Sequence, residues 1–268
     1  MELIRAVFGQ LRRQHRKALI PFIMGGDPDL ATTSQLLLVL QEAGADLIEV
    51  GIPFSDPLAD GPIIQAASAR ALARGATPRR VLEAVQAVRQ RLRVPVICLT
   101  YWNPVLQFAG NGRGPRAFVR QAVASGVSGV IVPDLPIEQG QPLREAAAHQ
   151  ELATIFLAAP TSPPERLRAI ARASQGFIYY VSITGTTGVR RHLPPTLMHG
   201  LRQLRLLTTK PICVGFGIST PAQAAAVARV ADGVIVGSAL VRRLDAAKGR
   251  AGALRAGASF VSRLRRAV

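Results

Sequence analysis

The chain has 268 residues, of which 49% are hydrophobic, and its mean hydropathy of +0.23 provides ample material for a core and excludes wholesale disorder. Its two cysteines exclude a disulfide framework as the basis of the fold, and nothing in the sequence predicts a metal site. No uninterrupted run of about 18 apolar residues occurs, so we expect no membrane-spanning segment and no membrane partner.

The formal net charge of +17 is the one unusual property of this composition. All but three of the 33 basic residues are arginines scattered along the chain, and the densest clusters, 12–17 and 263–266, are not interleaved with aromatic residues. This distribution is typical of solvated helix faces, and we expect no nucleic-acid partner. The amino terminus lacks the apolar stretch of a secretory signal, which predicts a protein of the reducing cytoplasm.

Eight short, β-branched apolar segments are predicted strands. They are residues 18–24, 46–51, 94–101, 129–133, 153–158, 177–182, 211–215 and 232–237. Each is almost entirely apolar, which is typical of parallel strands that are covered on both faces. Cys98 and Cys213 lie within these runs and are predicted to be small buried hydrophobic residues.

Amphipathic segments of helical period alternate with these strands, and several begin with proline in the first turn. They include residues 32–43, 61–74, 78–91, 115–125, 142–149, 163–173 and 221–229. This alternation predicts α/β architecture: a single (β/α)8 TIM barrel over residues 1–268, with an N-terminal helix and an extra helix between strands 2 and 3. An open doubly wound sheet is the alternative, but the dinucleotide version needs a Gly-x-Gly-x-x-Gly turn that residues 25–28 do not supply.

Carboxylates mark the carboxyl ends of the barrel strands, where barrel active sites lie. Glu49 interrupts the apolar second strand, where burial should raise its pKa and suit it to general acid/base chemistry. The alternative is a structural glutamate that bonds a nearby arginine or a backbone N–H. Asp56 and Asp60 in the next loop could be turn or helix-capping residues, or Asp60 could form a carboxylate pair with Glu49.

Glycine-rich loops follow the last three predicted strands. Residues 215–219 and 237–240 follow strands seven and eight, where barrels usually bind phosphate through backbone N–H groups. The loop at 182–191 is long and contains glycines, which is typical of a mobile lid. The residues thus predict a barrel enzyme that acts on a small phosphate ester, without identifying the substrate.

At these same positions the sequence resembles the tryptophan synthase alpha chain family. The matching stretches are residues 48–62, 132–136, 159–166, 177–182 and 215–219. The resemblance implies a lyase that reversibly cleaves indole-3-glycerol phosphate to indole and D-glyceraldehyde 3-phosphate in L-tryptophan biosynthesis. It also implies that this chain needs neither a metal nor an organic cofactor.

The resemblance assigns roles to individual residues. It implies that Glu49 is the general acid/base, that Asp60 bonds the indole N–H, that Tyr179 lies beside the glycerol chain and that Thr187 belongs to the lid. The implied phosphate contacts are Gly188, Gly217, Gly237 and Ser238, and the implied lining of the indole pocket is Phe22, Tyr101 and Phe216. Thr186 departs from the pattern, since an aliphatic residue is common there.

The family works as an α₂β₂ complex with a beta chain that uses pyridoxal phosphate. The positions implied to face that partner are Pro53, Asp56, Pro57 and Asp134. One alternative is a stand-alone lyase that releases free indole, and another is a phosphate-binding isomerase barrel in which Asp60 would be dispensable. A basic binding protein without catalysis would not need Glu49, Asp60 and both phosphate loops.

Overall fold

Parallel strands surrounded by helices form the framework of the chain, in a computed structural model that describes residues 2–109, 114–181, 194–215 and 217–268. The strands of these residues are β1 (Ala18–Met24), β2 (Ile48–Gly51), β3 (Val96–Leu99), β4 (Val127–Ile131), β5 (Ala153–Ile155), β6 (Leu157–Ala158), β7 (Ile178–Val181), β8 (Ile212–Gly215) and β9 (Gly233–Val236). All pair in parallel, in the order β5-β4-β3-β2-β1-β9-β8-β7-β6.

The predicted barrel is confirmed, with one difference in its fifth strand. The predicted strand 153–158 is two segments, because β5 pairs with β4 whereas β6 pairs with β7. Phe156 lies between them: its N–H donates to Ser174 Oγ (3.2 Å) and its carbonyl accepts from Tyr179 N (3.2 Å). Since a single residue separates β5 from β6, this break is the point at which the sheet closes.

Helices cover the outside of the barrel in the described part of the chain. They are α1 (Glu2–Arg13), α2 (Leu30–Glu42), α3 (Pro62–Ala73), α4 (Pro78–Gln86), α5 (Trp102–Leu106), α6 (Gly114–Ala124), α7 (Gln141–Ala148), α8 (Pro164–Ala173), α9 (Pro195–Leu207), α10 (Pro221–Ala228), α11 (Ser238–Asp245) and α12 (Gly249–Arg265), with a 3₁₀ turn at Ile137–Gln139. None of them is both long enough and apolar enough to cross a membrane.

The predicted N-terminal helix and the extra helix between the second and third strands are confirmed as α1 and the α3–α4 pair. Helix α4 ends at Gln86, five residues before the predicted end. Beyond it, the amides of Val88, Arg89, Arg91 and Leu92 bond carbonyls three residues back. The chain therefore tightens into successive turns there instead of continuing as α-helix.

The core has an inner and an outer layer. Apolar side chains fill the barrel interior, among them Ile20, Leu47, Ile97, Ile131, Phe177 and Ile235. Helix α1 closes the amino-terminal mouth of the barrel with Ile4, Phe8 and Leu11, and the ring centroids of Phe8 and Phe177 are 5.8 Å apart. A second, larger layer lies between the sheet and the helices. Cys98 and Cys213 are free and buried, as predicted.

Cationic side chains close the carboxyl ends of several elements, where the last carbonyls lack partners within the helix. Lys210 Nζ donates to the carbonyls of Ala171, Arg172 and Ser174 at the end of α8, at 2.7, 3.0 and 2.6 Å. Arg80 and Arg89 donate to carbonyls after α3 and within α6. Part of the arginine excess therefore bonds to backbone carbonyls.

Candidate active site

Glu49 lies inside the barrel near the carboxyl end of β2. Its Cα pairs with Phe22 on β1 and with Ile97 on β3. Side chains alternate along a strand, and Leu47, two residues earlier, fills the interior, so Glu49 points into the same space. Only 1% of Glu49 is exposed, which places a carboxyl group in a nearly dry environment.

The surroundings of Glu49 favour its neutral form. Burial, and to a lesser extent the negative charge of Asp60, raises its pKa to about 8. Its Oε2 atom has no hydrogen-bond partner within the described residues, so the structural alternative, a glutamate satisfied by an arginine or a backbone N–H, is not supported for this atom. At neutral pH Glu49 therefore holds a proton that it can donate.

Asp60 lies in the loop between β2 and α3, on the same rim of the barrel. The hydroxyl of Tyr101 donates to its Oδ2 at 3.0 Å. Burial raises the Asp60 pKa to about 6, against the opposing effect of this hydrogen bond. The capping interpretation of Asp60 is wrong, because the N-cap of α3 is Gly61 and has no side-chain cap bond. Asp60 is therefore ionised at neutral pH while Glu49 is protonated.

Tyr101 ties this loop to the end of β3. Besides donating to Asp60, its hydroxyl accepts from Ala59 N at 3.0 Å. Its ring packs against Phe54 with centroids 5.4 Å apart and ring planes inclined by 33°. The sequence places Tyr101 only in the implied pocket lining, whereas the structure shows that it also bonds the candidate carboxylate. Residues 60 and 101 are too far apart in the chain for sequence spacing to reveal this bond.

Two glycines make room for the aromatic side chains of the site. A Cβ on Gly51 would lie 2.6 Å from Cζ of Phe22, so the Phe22 ring lies directly over the end of β2. A Cβ on Gly215 would lie 2.3 Å from the hydroxyl oxygen of the buried Tyr179, which therefore lies over the end of β8. Burial and the nearby carboxylates raise the Tyr179 pKa well above its ordinary value, so its hydroxyl stays neutral.

The described part of the predicted phosphate site lies beyond β8 and β9. Gly215 pairs with Ile235, so Gly217 and Gly237 each follow this pair by two residues and belong to neighbouring loops. Gly217 has φ +72°, a conformation that favours glycine, and Gly237 precedes Ser238, the first residue of α11. The first amides of a helix have no partner within it and can bind an anion. Thr186, Thr187, Gly188 and Phe216 lie outside the described residues.

The implied partner-facing residues surround an exposed tip of the same β2–α3 loop. Asp56 and Asp134 are exposed, Pro57 is half-buried and Pro53 is buried. The Asp134 carboxylate accepts from Trp102 N at 2.9 and 3.2 Å, at the start of α5. Beside them Leu58 is 90% exposed, and a groove of about 400 Å³ opens next to Pro53 and Phe54.

No cluster of three or more potential metal ligands occurs within the described residues. The polar groups that the described residues bring to the site are carboxylates, phenol groups and backbone amides. A proton donor and a carboxylate anion face the same barrel mouth, and the glycine-containing loops after β8 and β9 follow strands that β1 connects to β2 in the sheet. This arrangement can transfer a proton to an apolar substrate while it stabilises a positive charge that develops on it.

Comparisons with known proteins show which family and which structures the chain resembles. The family model of the tryptophan synthase alpha chain matches residues 8–268. The alpha chain of Gloeobacter violaceus is 55% identical over 245 residues, which are 91% of this chain and 87% of that protein. The structure of tryptophan synthase subunit alpha from Legionella pneumophila has a TM-score of 0.88 at 37% identity and covers 98% and 97% of the two chains. A structure of the α₂β₂ complex of Pyrococcus furiosus has a TM-score of 0.85 at 40% identity and covers 92% and 97%.

Proposed function

Because the chain belongs to the tryptophan synthase alpha chain family, we propose that Glu49 and Asp60 are the residues that carry the reaction of this family. The chain is a carbon–carbon lyase that reversibly cleaves indole-3-glycerol phosphate to indole and D-glyceraldehyde 3-phosphate. One observation supports these two roles above all: two carboxyl groups on one barrel mouth have pKa values raised to about 8 and about 6. Between these values one group holds a proton and the other is an anion.

Glu49 performs both proton transfers. Its protonated carboxyl donates to C3 of the indole ring and leaves a positive charge on the ring nitrogen. The resulting carboxylate takes the proton of the glyceryl hydroxyl, the bond between C3 and the glyceryl carbon breaks, and its electron pair returns to the ring. The hydroxyl carbon becomes the aldehyde, and Glu49 is protonated again. The reaction therefore begins and ends with the neutral form that burial favours.

Asp60 stabilises the charged intermediate. Its carboxylate accepts a hydrogen bond from the indole N–H, which becomes more acidic when C3 is protonated. A fixed anion in a partly buried site stabilises this cation more than water would. The Tyr101 hydroxyl holds Oδ2 of Asp60 and leaves the other carboxylate oxygen for the substrate.

The remaining residues hold the two ends of the substrate. Phe22, Tyr101 and Phe216 line the indole pocket, and Tyr179 lies beside the glycerol chain. Gly217, Gly237, Ser238 and Gly188 bind the phosphate, and Thr187 closes the lid. The positions of Gly217 and Gly237 after β8 and β9, and the start of α11 at Ser238, support the phosphate assignment.

The chain works with a tryptophan synthase beta chain in an α₂β₂ complex. We place the contact at Pro53, Asp56, Pro57 and Asp134, next to the exposed Leu58. The family assignment favours this subunit function over a stand-alone lyase and over a phosphosugar isomerase. Two buried free thiols are consistent with the cytoplasm, where we place the enzyme.

The test is the release of indole from indole-3-glycerol phosphate, measured with and without the beta chain. We expect Asp60→Asn to lower kcat/KM for cleavage in both conditions, because the neutral amide stabilises the ring cation less. The control is Glu83→Gln, which removes an exposed carboxylate on α4 and should cleave at the wild-type rate. Cleavage by Asp60→Asn at the rate of this control would refute the role of Asp60. A wild-type chain that releases no indole, with or without the beta chain, would instead favour the isomerase interpretation.

A further inference from the structure

Ser68 is a buried polar residue in a helix of mostly small and apolar residues. It lies in the middle of α3 with 1% of its surface exposed. A serine within a helix commonly bonds a carbonyl of the preceding turn. The Ser68 hydroxyl instead bonds the backbone of Phe54, accepting from its N–H at 2.9 Å and donating to its carbonyl at 2.8 Å. One side chain thus satisfies both polar backbone groups of a single loop residue.

Phe54 connects this bond to the candidate site. Its ring packs on Tyr101, and the Tyr101 hydroxyl in turn bonds Asp60 and Ala59 at 3.0 Å each. A continuous set of contacts therefore runs from Ser68 to the Asp60 carboxylate. Among the described residues, the other anchors of the β2–α3 loop are Ile52 N on the carbonyl of Leu99, Gln65 Nε2 on the carbonyl of Asp60 at 2.9 Å, and internal turn bonds.

We propose that Ser68 is a positioning residue for cleavage: its hydroxyl fixes Phe54 so that Phe54 holds Tyr101 in hydrogen-bonding contact with Asp60. The proposal rests on the function proposed above for Asp60. Ser68 touches no reacting atom and acts only through the loop.

The free space beside Phe54 explains why this anchor matters. Phe54 and Pro53 line the groove of about 400 Å³, so the Phe54 ring has room to turn away from Tyr101. Without the Ser68 hydroxyl, the N–H and carbonyl of Phe54 lose their hydrogen-bond partners. Moving the loop toward water is then favourable, because water can bond these two groups. Tyr101 then loses a packing neighbour, and the contact with Asp60 loosens.

The test compares Ser68→Ala with a matched variant, Thr33→Val. Thr33 is also fully buried, and it also bonds a loop backbone through one hydroxyl, accepting from Gly26 N at 2.9 Å and donating to Asp29 O at 3.0 Å. That loop has no described contact with Asp60. Each variant is assayed in the full chain with a saturating amount of beta chain, by kcat/KM for cleavage against pH and by urea unfolding.

We expect Ser68→Ala to lower kcat/KM about tenfold, the effect of weakening one hydrogen bond to a charged group. The acid limb of the pH profile should move to higher pH, because the Tyr101 bond lowers the Asp60 pKa. Tyr101→Phe should move it in the same direction, and the double variant should be no slower than Tyr101→Phe alone. Thr33→Val should be destabilised without a shift of this limb.

Two outcomes would overturn the proposal: an acid limb of Ser68→Ala that stays at the wild-type pH, or effects of Ser68→Ala and Tyr101→Phe that multiply. If Ser68→Ala does not fold, Phe54→Leu supplies the same test, since it removes the ring contact and leaves α3 intact. An Asp60→Asn variant as active as wild type would refute the role proposed for Asp60, on which this inference rests. An inactive Asp60→Asn variant beside an unaffected Ser68→Ala variant would refute only the role of Ser68.

Discussion

Replacing Glu49 by glutamine separates the chemistry of this side chain from its burial. Glutamine keeps the volume and the hydrogen-bonding capacity but cannot exchange the proton. We expect kcat for cleavage to fall by about 10² to 10⁴, the usual contribution of a general acid/base. The binding of substrate should survive, because the phosphate and indole contacts are made by other residues.

The same substitution should change how stability depends on pH. The Glu49 pKa is raised from 4.5 to about 8 by burial and by Asp60. Below about pH 4.5 both the folded and the unfolded chain hold this proton, so the ionisation of Glu49 does not change the free energy of unfolding. As pH rises toward 8 the unfolded chain releases the proton while the folded chain keeps it, and folding becomes less favourable by roughly 3 to 5 kcal/mol. Glutamine has no such proton, so the variant lacks this loss.

Urea unfolding at pH 5 and pH 9, followed by circular dichroism, measures this difference. The stability of Glu49→Gln relative to wild type should increase between the two pH values by most of that amount. Glu83→Gln, which removes an exposed carboxylate on α4, should follow the wild type. Parallel pH dependences of Glu49→Gln and wild type would show that Glu49 is not buried in its neutral form. A near-normal kcat would show that its carboxyl is structural and that the mechanism is wrong.

Three further expectations follow from the site and its supports. The kcat/KM of the wild type should depend on pH as a bell-shaped curve with limbs at about pH 6 and about pH 8. The reason is that cleavage needs an ionised Asp60 and a protonated Glu49. A profile with a single limb would contradict these roles. Gly215→Ala should lower kcat/KM and destabilise the fold by about 1 to 3 kcal/mol in urea unfolding, because its Cβ would overlap the buried Tyr179. An unchanged free energy of unfolding would argue against this packing. Lys210→Met should lower the free energy of unfolding by about 1 to 3 kcal/mol, because three hydrogen bonds to carbonyls are lost. The kcat should not change, and a lower kcat would contradict a purely structural role of Lys210.

The barrel could be predicted from the sequence because its strands are buried on both faces. Each appears as a short apolar run, and an ionisable residue within such a run, Glu49, is conspicuous for the same reason. The break at Phe156 could not be predicted, because the segment 153–158 is apolar on both sides of it except at Thr154. The two halves separate because they pair with different neighbours, and this pairing depends on how the sheet closes.

The supports of the site were hidden for a related reason. The bond between Tyr101 and Asp60 joins two loops that are distant in sequence, and only the fold brings them together. Ser68 lies in an alanine-rich segment of the sequence. The sequence alone does not distinguish a buried serine from a solvent-exposed one in such a segment. The sequence thus predicts which groups take part in proton transfer, whereas the contacts that orient them depend on the three-dimensional arrangement of loops.

Helix α1 lies at the opposite end of the barrel from the reacting atoms, yet it helps to keep the pKa of Glu49 high. The carboxyl is neutral at pH 7 mainly because it is buried, and α1 packs with the apolar side chains that fill the barrel interior beneath it. If Ile4, Phe8 and Leu11 left the amino-terminal mouth, water would enter from below and ionisation would become less costly. The amino-terminal helix thus keeps water away from Glu49 and helps to keep its pKa high. Loosening this helix should move the alkaline limb of the pH profile to lower pH.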